Sequence, residues 1–278
     1  MKCAWQDFLR LVPMRMHNAV NKAEVDSLQE LRLRIGQRPM VVTSKGIIFG
    51  SGLCTADDLN YVINSASKYS PWLASTIADG YITATGGHRV GICGEAVLKA
   101  GLMAGIRYPT SVCIRAARDI DGIAKKAADL SGSVLIIGPP GSGKTTLLRD
   151  YVRMRAMKET VSVLDERGEL FPLVNGTNLY VEAYPIDVLS GCGKDKGVSM
   201  ILRTMNPDCI AVDEITAESD CAALIKAAWC GVSLLATAHA ASIRDLKMRS
   251  VYQPIIESKL FSNVIVLNRE KKWSLERI

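Results

Sequence analysis

Apolar and polar positions follow two different rhythms along this 278-residue chain, and the change from one to the other divides it. In ELRLRI (30–35), Leu31, Leu33 and Ile35 share one face and Arg32 and Arg34 the other, which predicts a strand with one side in a core. GQRP (36–39) is turn chemistry, and MVVT (40–43) and IIF (47–49) predict short strands on either side of Lys45-Gly46. Thr55-Ala-Asp-Asp58 places a hydroxyl three residues ahead of a carboxylate, the form of a capping box, and predicts a helix through about residue 69. Residues 80–101, rich in glycine and β-formers, predict hairpins, and SVCIRAA (111–117) a further strand. Together these elements make a smaller mixed α+β domain over residues 1–128.

From Ser133 the pattern changes to continuous apolar runs separated by helical stretches: VLII (134–137), VSVL (161–164), CIAV (209–212), VSLLA (232–236) and NVIVL (263–267). A run without alternation reads as a strand covered on both faces. Strands spaced by helices read as a mainly parallel sheet. Residues 129–278 are therefore expected to form an α/β domain. The chain shows no internal repeat of 20–50 residues and no low-complexity segment.

The first apolar run leads into Gly138-Pro139-Pro140-Gly141-Ser142-Gly143-Lys144-Thr145-Thr146, which fits G-x-x-x-x-G-K-[ST] between a strand and a helix. In such a loop backbone N–H groups wrap phosphate oxygens, Lys144 reaches the β and γ phosphates, and the Thr145 hydroxyl is a Mg²⁺ ligand. A second strand ends in Asp213-Glu214, lifting two carboxylates to the sheet edge where ligands bind. Asp213 is placed to hold Mg²⁺ and Glu214 to orient and deprotonate an attacking water. After VSVL, Asp165-Glu166-Arg167-Gly168-Glu169 sets further charge at the same edge, so Glu166 competes with Glu214 as general base. His239, after LLATA, is placed to sense the γ-phosphate by hydrogen bonding.

Composition narrows the classes. With 48% hydrophobic and 22% charged residues the chain reads as folded and globular, and a net charge of +6 is too small to signal nucleic acid by itself. Aromatics make up only 6%, and no basic stripe interleaves with them, which weakens a nucleic-acid reading. The eight cysteines include no C-x-x-C pair, and Cys93, Cys113, Cys209 and Cys230 lie in or beside apolar runs, so they read as reduced core residues. The N-terminal segment carries Lys2, Asp7, Arg10 and Arg15 without an apolar h-region, and no run reaches the ~18 apolar residues of a spanning helix, so a cytoplasmic location is expected. The one Asn-Lys pair, Asn21-Lys22, does not continue as N-K-x-D on a late strand, which argues against a GTPase. No G-x-G-x-x-G follows a strand, which argues against a dinucleotide oxidoreductase.

Residues 201–242 place an arginine, Arg203, before Asn206-Pro207-Asp208, a glutamate after the next strand, and Thr-x-His after the one following. In order and spacing they resemble the Walker B and His-box region of the type II/IV secretion ATPases. ELRLRIGQRP (30–39), residues 80–97, residues 133–150 and VLDERGEL (163–170) resemble more closely still the stage III AA sporulation family of endospore-forming bacteria. The resemblance implies a RecA-like P-loop fold and ATP hydrolysis. It also implies a homo-oligomeric ring, a hexamer, and membrane-embedded partners of a channel between mother cell and forespore. An acidic box between the P-loop and Walker B matches Asp165-Glu166-Arg167. Arginines that the relatives bring from the N-terminal domain to the γ-phosphate match Arg89, Arg107 or Arg115. Two departures stand out: Asp213-Glu214 replaces the Gly-Glu common in the secretion ATPases, and the tetra-cysteine insertion of some type II relatives is missing, so no zinc is implied. The expected function is an ATP-driven ring motor. The alternatives are a RecA-like nucleic-acid translocase and an ATP-binding switch without useful turnover.

Overall fold

A computed structural model describes residues 4–68, 80–174, 176–181 and 183–277. The chain forms two compact units, residues 1–119 and 120–278.

In the first unit, helices α1 (Trp5–Arg10) and α2 (His17–Asn21) precede β1 (Leu28–Arg34), β2 (Met40–Thr43) and β3 (Gly46–Phe49). Helix α3 (Ala56–Ser67), β4 (Tyr81–Thr83), β5 (Arg89–Lys99) and β6 (Leu102–Arg115) follow. The six strands form an antiparallel sheet in the order β3-β2-β1-β6-β5-β4. Leu31 and Leu33 are buried, but Ile35, expected beside them, is exposed. It lies one residue beyond β1, where pairing is reduced to a lone bridge to Cys54. The start of α3 is a capping box: Asp58 N–H donates to Thr55 Oγ1 (3.4 Å) and Thr55 N–H to Asp58 Oδ2 (2.6 Å). The helix ends at Ser67; the expected last residue, 69, is outside the described residues.

The second unit holds β7 (Val134–Ile137), α4 (Lys144–Ala156), β8 (Val161–Asp165), the small hairpin β9 (Leu173–Val174) and β10 (Thr177–Asn178), and β11 (Ile186–Ser190). It continues through α5 (Lys194–Thr204), β12 (Cys209–Ile215), α6 (Glu218–Trp229), β13 (Ser233–Ala238), α7 (Ile243–Met248), α8 (Gln253–Glu257), β14 (Asn263–Leu267) and β15 (Trp273–Glu276). Seven strands form a sheet ordered β11-β8-β12-β13-β7-β14-β15, parallel except for the edge strand β15. Each of the five apolar runs lies on a strand of this sheet. Alternate side chains enter two cores: Leu135, Ile137 and Leu234 lie in one, Val134, Ile136 and Leu235 in the other. That two-sided burial is why the runs do not alternate in polarity.

Residues 120–128, which the sequence reading places with the first domain, pack in the second unit. Buried Asp150 on α4 accepts the N–H groups of Gly122 (2.9 Å) and Ala124 (2.7 Å), and Ala124 and Ala127 belong to the core beneath α4. The cysteines also depart from expectation: Cys54, Cys209 and Cys221 are buried, whereas Cys93 and Cys230 are exposed and Cys113 is half-buried. Cys93 sits where β5 leaves the sheet, and Cys230 caps the C-terminus of α6.

Candidate nucleotide site

The site lies at the C-terminal ends of β7, β12, β13 and β8. Because β13 separates β7 from β12, the phosphate-type loop after β7 and the carboxylates at the end of β12 stand one strand apart, and β13 delivers Thr237 and His239 into that gap.

The loop conformation depends on glycine at defined places. Gly141 and Gly143 have φ of 75° and 97°, a region that side-chain-bearing residues avoid. A Cβ on Gly138 would lie 2.6 Å from Ser142 Oγ and 2.9 Å from the Leu267 carbonyl oxygen. Ser142 Oγ itself is buried without a hydrogen-bond partner. Lys144, the first residue of α4, is turned back into this loop: its Nζ donates to the carbonyls of Gly138 (2.9 Å) and Pro139 (3.1 Å) and to His239 Nδ1 (3.0 Å). Burial pulls the Lys144 ammonium below its ordinary pKa, opposed by the charges of Asp213 and Glu214.

Opposite the loop, Thr145 Oγ1 donates to Asp213 Oδ2 (2.9 Å). Thr237 Oγ1 donates to Asp213 Oδ1 (2.6 Å) and accepts the Glu214 N–H (2.9 Å). Glu214 has φ of 46°, and the pairing of β12 with β13 slips between Val212 and Ile215. This bulge turns the glutamate out of the ladder, and such a backbone costs about 1–3 kcal/mol unless its surroundings hold it, as the Thr237 hydroxyl does here. His239 Nε2 lies 3.1 Å from Glu214 Oε1, and Arg167 Nη1 lies 3.5 Å from Glu214 Oε2.

The segment after β8 closes the cleft that Asp165, Glu166, Arg167, Glu169, Lys194, Asp213 and Glu214 line. Asp165 accepts the N–H groups of Glu169 (2.8 Å), Leu170 (3.0 Å) and Phe171 (2.8 Å) and so shapes the turn carrying Glu166 and Arg167. Burial pushes its carboxyl up to about 6, against the pull of those donors and with a further push from Asp213. Glu166 is bound to buried Lys194 (2.6 Å), whose Nζ is also 3.7 Å from Asp220.

The structure thus brings together Gly138 to Thr146, Glu166, Asp213, Glu214 and His239. It does not bring Arg203 with them. Helix α5 begins at the cleft with Lys194 and runs away at about 1.5 Å per residue, leaving Arg203 exposed near its far end with Nε on the Ser199 carbonyl (3.1 Å). Arg89, Arg107 and Arg115 belong to the first unit. Arg89 covers the Tyr81 ring at 3.8 Å, Arg107 pairs with Glu95 on the exposed arm of β5 and β6, and Arg115 ends β6 opposite Arg89 and Glu30. Thr237 and Arg167 lie within the Thr-x-His and Asp165-Glu166-Arg167 motifs, which give neither a role of its own, and Lys194 lies in no motif. Thr237 stands two residues before His239, but Lys194 follows an edge strand that no apolar run announced.

The loop, the bulged Asp-Glu strand and the strand between them define the class: the fold is that of the RecA-like secretion and pilus ATPases. The pilus retraction motor PilT with bound ADP superposes with a TM-score of 0.58 at 14% identity, covering 90% of this chain and 76% of that one. The ATPase DotB of Legionella pneumophila gives 0.56 at 17% identity, over 96% and 80%. Within that class the chain belongs to the stage III sporulation protein AA family, whose model, described as sporulation stage III, protein AA, matches residues 5–275. Stage III sporulation protein AA of Bacillus subtilis (strain 168) is 34% identical over 95% of this chain and 91% of its own length. The Protein SEEDLING PLASTID DEVELOPMENT 1 of Arabidopsis thaliana is 27% identical over 86% of this chain, which spans only 34% of that protein.

Proposed function

We propose that this chain is a Mg²⁺-dependent ATPase that works as a homo-hexameric ring. In this reading it acts in the cytoplasm of the mother cell and is held at the membrane by channel proteins of a sporulation complex, whose assembly or transport it powers. The observation that carries the chemistry is the linked set of Lys144, His239 and Glu214 beside Thr145 and Asp213, joined by contacts of 2.9–3.1 Å at the ends of parallel strands. The sporulation relatives support the cellular setting, and the ATPase fold supports the reaction. Among the described residues no helix is long and apolar enough to cross a membrane, so membrane contact is assigned to partners.

The residues fit a nucleoside triphosphate with its metal. The glycines leave open backbone for phosphate oxygens, and Lys144, once released from the Gly138 and Pro139 carbonyls, reaches the β and γ phosphates. Thr145 and Asp213 supply a hydroxyl and one carboxylate, the sparse protein donor set that suits Mg²⁺ when phosphates and waters complete its shell. A Mg²⁺ held by Thr145 and Asp213 would offset the charge of the phosphate oxygens. Glu214 orients the attacking water and takes its proton; Glu166, held by Lys194, is the less available of the two carboxylates.

The test is steady-state ATP hydrolysis against protein concentration, with molar mass read by light scattering in parallel. Turnover per chain should rise as the ring forms. It should vanish in Lys144→Ala and in Glu214→Gln, the latter still binding ATP. A monomer that binds ATP without Glu214-dependent turnover would instead mark a switch, and hydrolysis stimulated by DNA a translocase.

A further inference from the structure

Phosphoryl transfer leaves charge on the transferred group that one lysine does not balance, and a guanidinium is the side chain suited to it. The cleft contains one that no close ion pair holds, as its neighbours show. Five carboxylates line it, from Asp165, Glu166, Glu169, Asp213 and Glu214, against two cations, Arg167 and Lys194. Lys194 is buried and held between Glu166 and Asp220. Arg149, on the helix behind, donates to the carbonyls of Leu170 (2.6 Å) and Glu169 (2.7 Å). Arg167 differs from both: its side chain is 52% exposed and its ion pair among the described residues is a long one, 3.5 Å to Glu214 Oε2. Its backbone, by contrast, is fixed, because Asp165 gathers the N–H groups of residues 169–171 and so sets the turn on which Arg167 stands. An exposed guanidinium on a hydrogen-bonded turn, beside the carboxylate expected to activate water, is a preorganised donor for charge that develops beside that carboxylate.

We propose that Arg167 is a catalytic residue supplied by the same chain: it leaves Glu214 when a nucleoside triphosphate binds and donates to the γ-phosphate oxygens during hydrolysis. This rests on the ATPase reading above. Both glutamate oxygens are in contact, one with Arg167 and one with His239, whose other nitrogen meets Lys144. Arrival of the γ-phosphate draws Lys144 and Arg167 to itself from the two ends of this chain of contacts and frees Glu214. In the step itself, the water oxygen bonds to the γ-phosphorus as the bond to the β–γ bridging oxygen breaks. The electron pair of that bond leaves with ADP, and the water proton passes to Glu214. Arg167 balances the charge on the equatorial oxygens. Arginines of the first unit in an assembled ring can add to this role without replacing it.

The experiment compares the full chain with Arg167→Ala and Arg167→Lys for ATP turnover, for equilibrium binding of ADP and a slowly hydrolysed ATP analogue, and for rescue by added guanidinium. Arg167→Ala should lower kcat on the order of 10³-fold. It should weaken the ATP analogue on the order of tenfold, leave ADP binding unchanged, and recover part of its turnover with guanidinium but not with ammonium. The lysine variant should not substitute. A kcat within about threefold of the unaltered protein, or equal weakening of ADP and the ATP analogue, would overturn the assignment. If the unaltered protein binds nucleotide without turnover, the ATPase reading fails separately, and an ATP-over-ADP preference that survives Arg167→Ala would overturn Arg167 as a γ-phosphate ligand. If it binds neither nucleotide, both fall together.

Discussion

Thr237 shows how much of the site depends on a side chain that does not reach the cleft surface. It is wholly buried, and its hydroxyl ties Asp213 to the backbone of Glu214 where φ is positive. Thr237→Val keeps the shape and removes the hydroxyl, so we expect kcat to fall ten- to hundredfold, corresponding to about 1.5–3 kcal/mol for a charge-assisted bond. ATP affinity should change much less, as equilibrium binding will test. Asp165 makes a prediction in pH. Its folded value near 6 stands above the ordinary carboxylate value of 3.8, so its ionisation opposes folding. The stability it permits is complete below about pH 4 and declines as pH rises through 6, by up to about 3 kcal/mol. Asp165→Asn should flatten this part of the stability-pH curve in urea titrations between pH 4 and 7. The loop residues 138–146 and the pair Asp213-Glu214 were legible in the sequence because each group acts from contiguous positions. Lys194 was not, since it meets Glu166 only after separate strands align their ends, and for the same reason the position of Arg167 at that edge was visible but its partner Glu214 was not. Arg203 lies apart from these residues within this chain, and its fixed spacing from Asn206-Pro207-Asp208 does not reveal which end of α5 it occupies.

Helix α5 is held against β8 by a missing side chain. A Cβ on Gly197 would come within 2.5 Å of Leu164 Cδ1 and 2.8 Å of Cys192 Sγ. Gly197→Ala should therefore destabilise the fold by about 1–3 kcal/mol despite alanine's better helix propensity, as denaturant unfolding will measure. Because α5 starts at Lys194, the same change should loosen the ion pair with Glu166. Strands buried on both faces were readable from their unbroken apolar runs. The edge strands were not: Ile186–Ser190 carries Asp187 and Trp273–Glu276 carries Ser274 and Glu276, so neither shows a run, and their pairing partners alone make them strands. Helix α3 was visible because its stop and start are local, the Thr55–Asp58 box lying within four residues.

Each unit has its own core, which makes the domain boundary testable. A fragment of residues 120–278 should unfold cooperatively. One beginning at residue 129 should be weaker by several kcal/mol, because it lacks Ala124 and Ala127 from the core and strands buried Asp150 without the N–H donors of Gly122 and Ala124. Comparing the thermal midpoints of the two fragments decides it. The sequence reading places this boundary later, at 128, because the continuous apolar runs begin only after Ser133, while the tertiary contacts of Ala124 and Ala127 leave no periodic mark. The strand order also sets a timetable for synthesis. Val134, on the strand that leads into the phosphate-type loop, is flanked in the sheet by Leu235 and Asn263. On the ribosome that strand gains neither neighbour until β13, about 100 residues further along, has been made. A nascent chain that stops short of β13 therefore carries the phosphate-loop sequence without a built loop site around it.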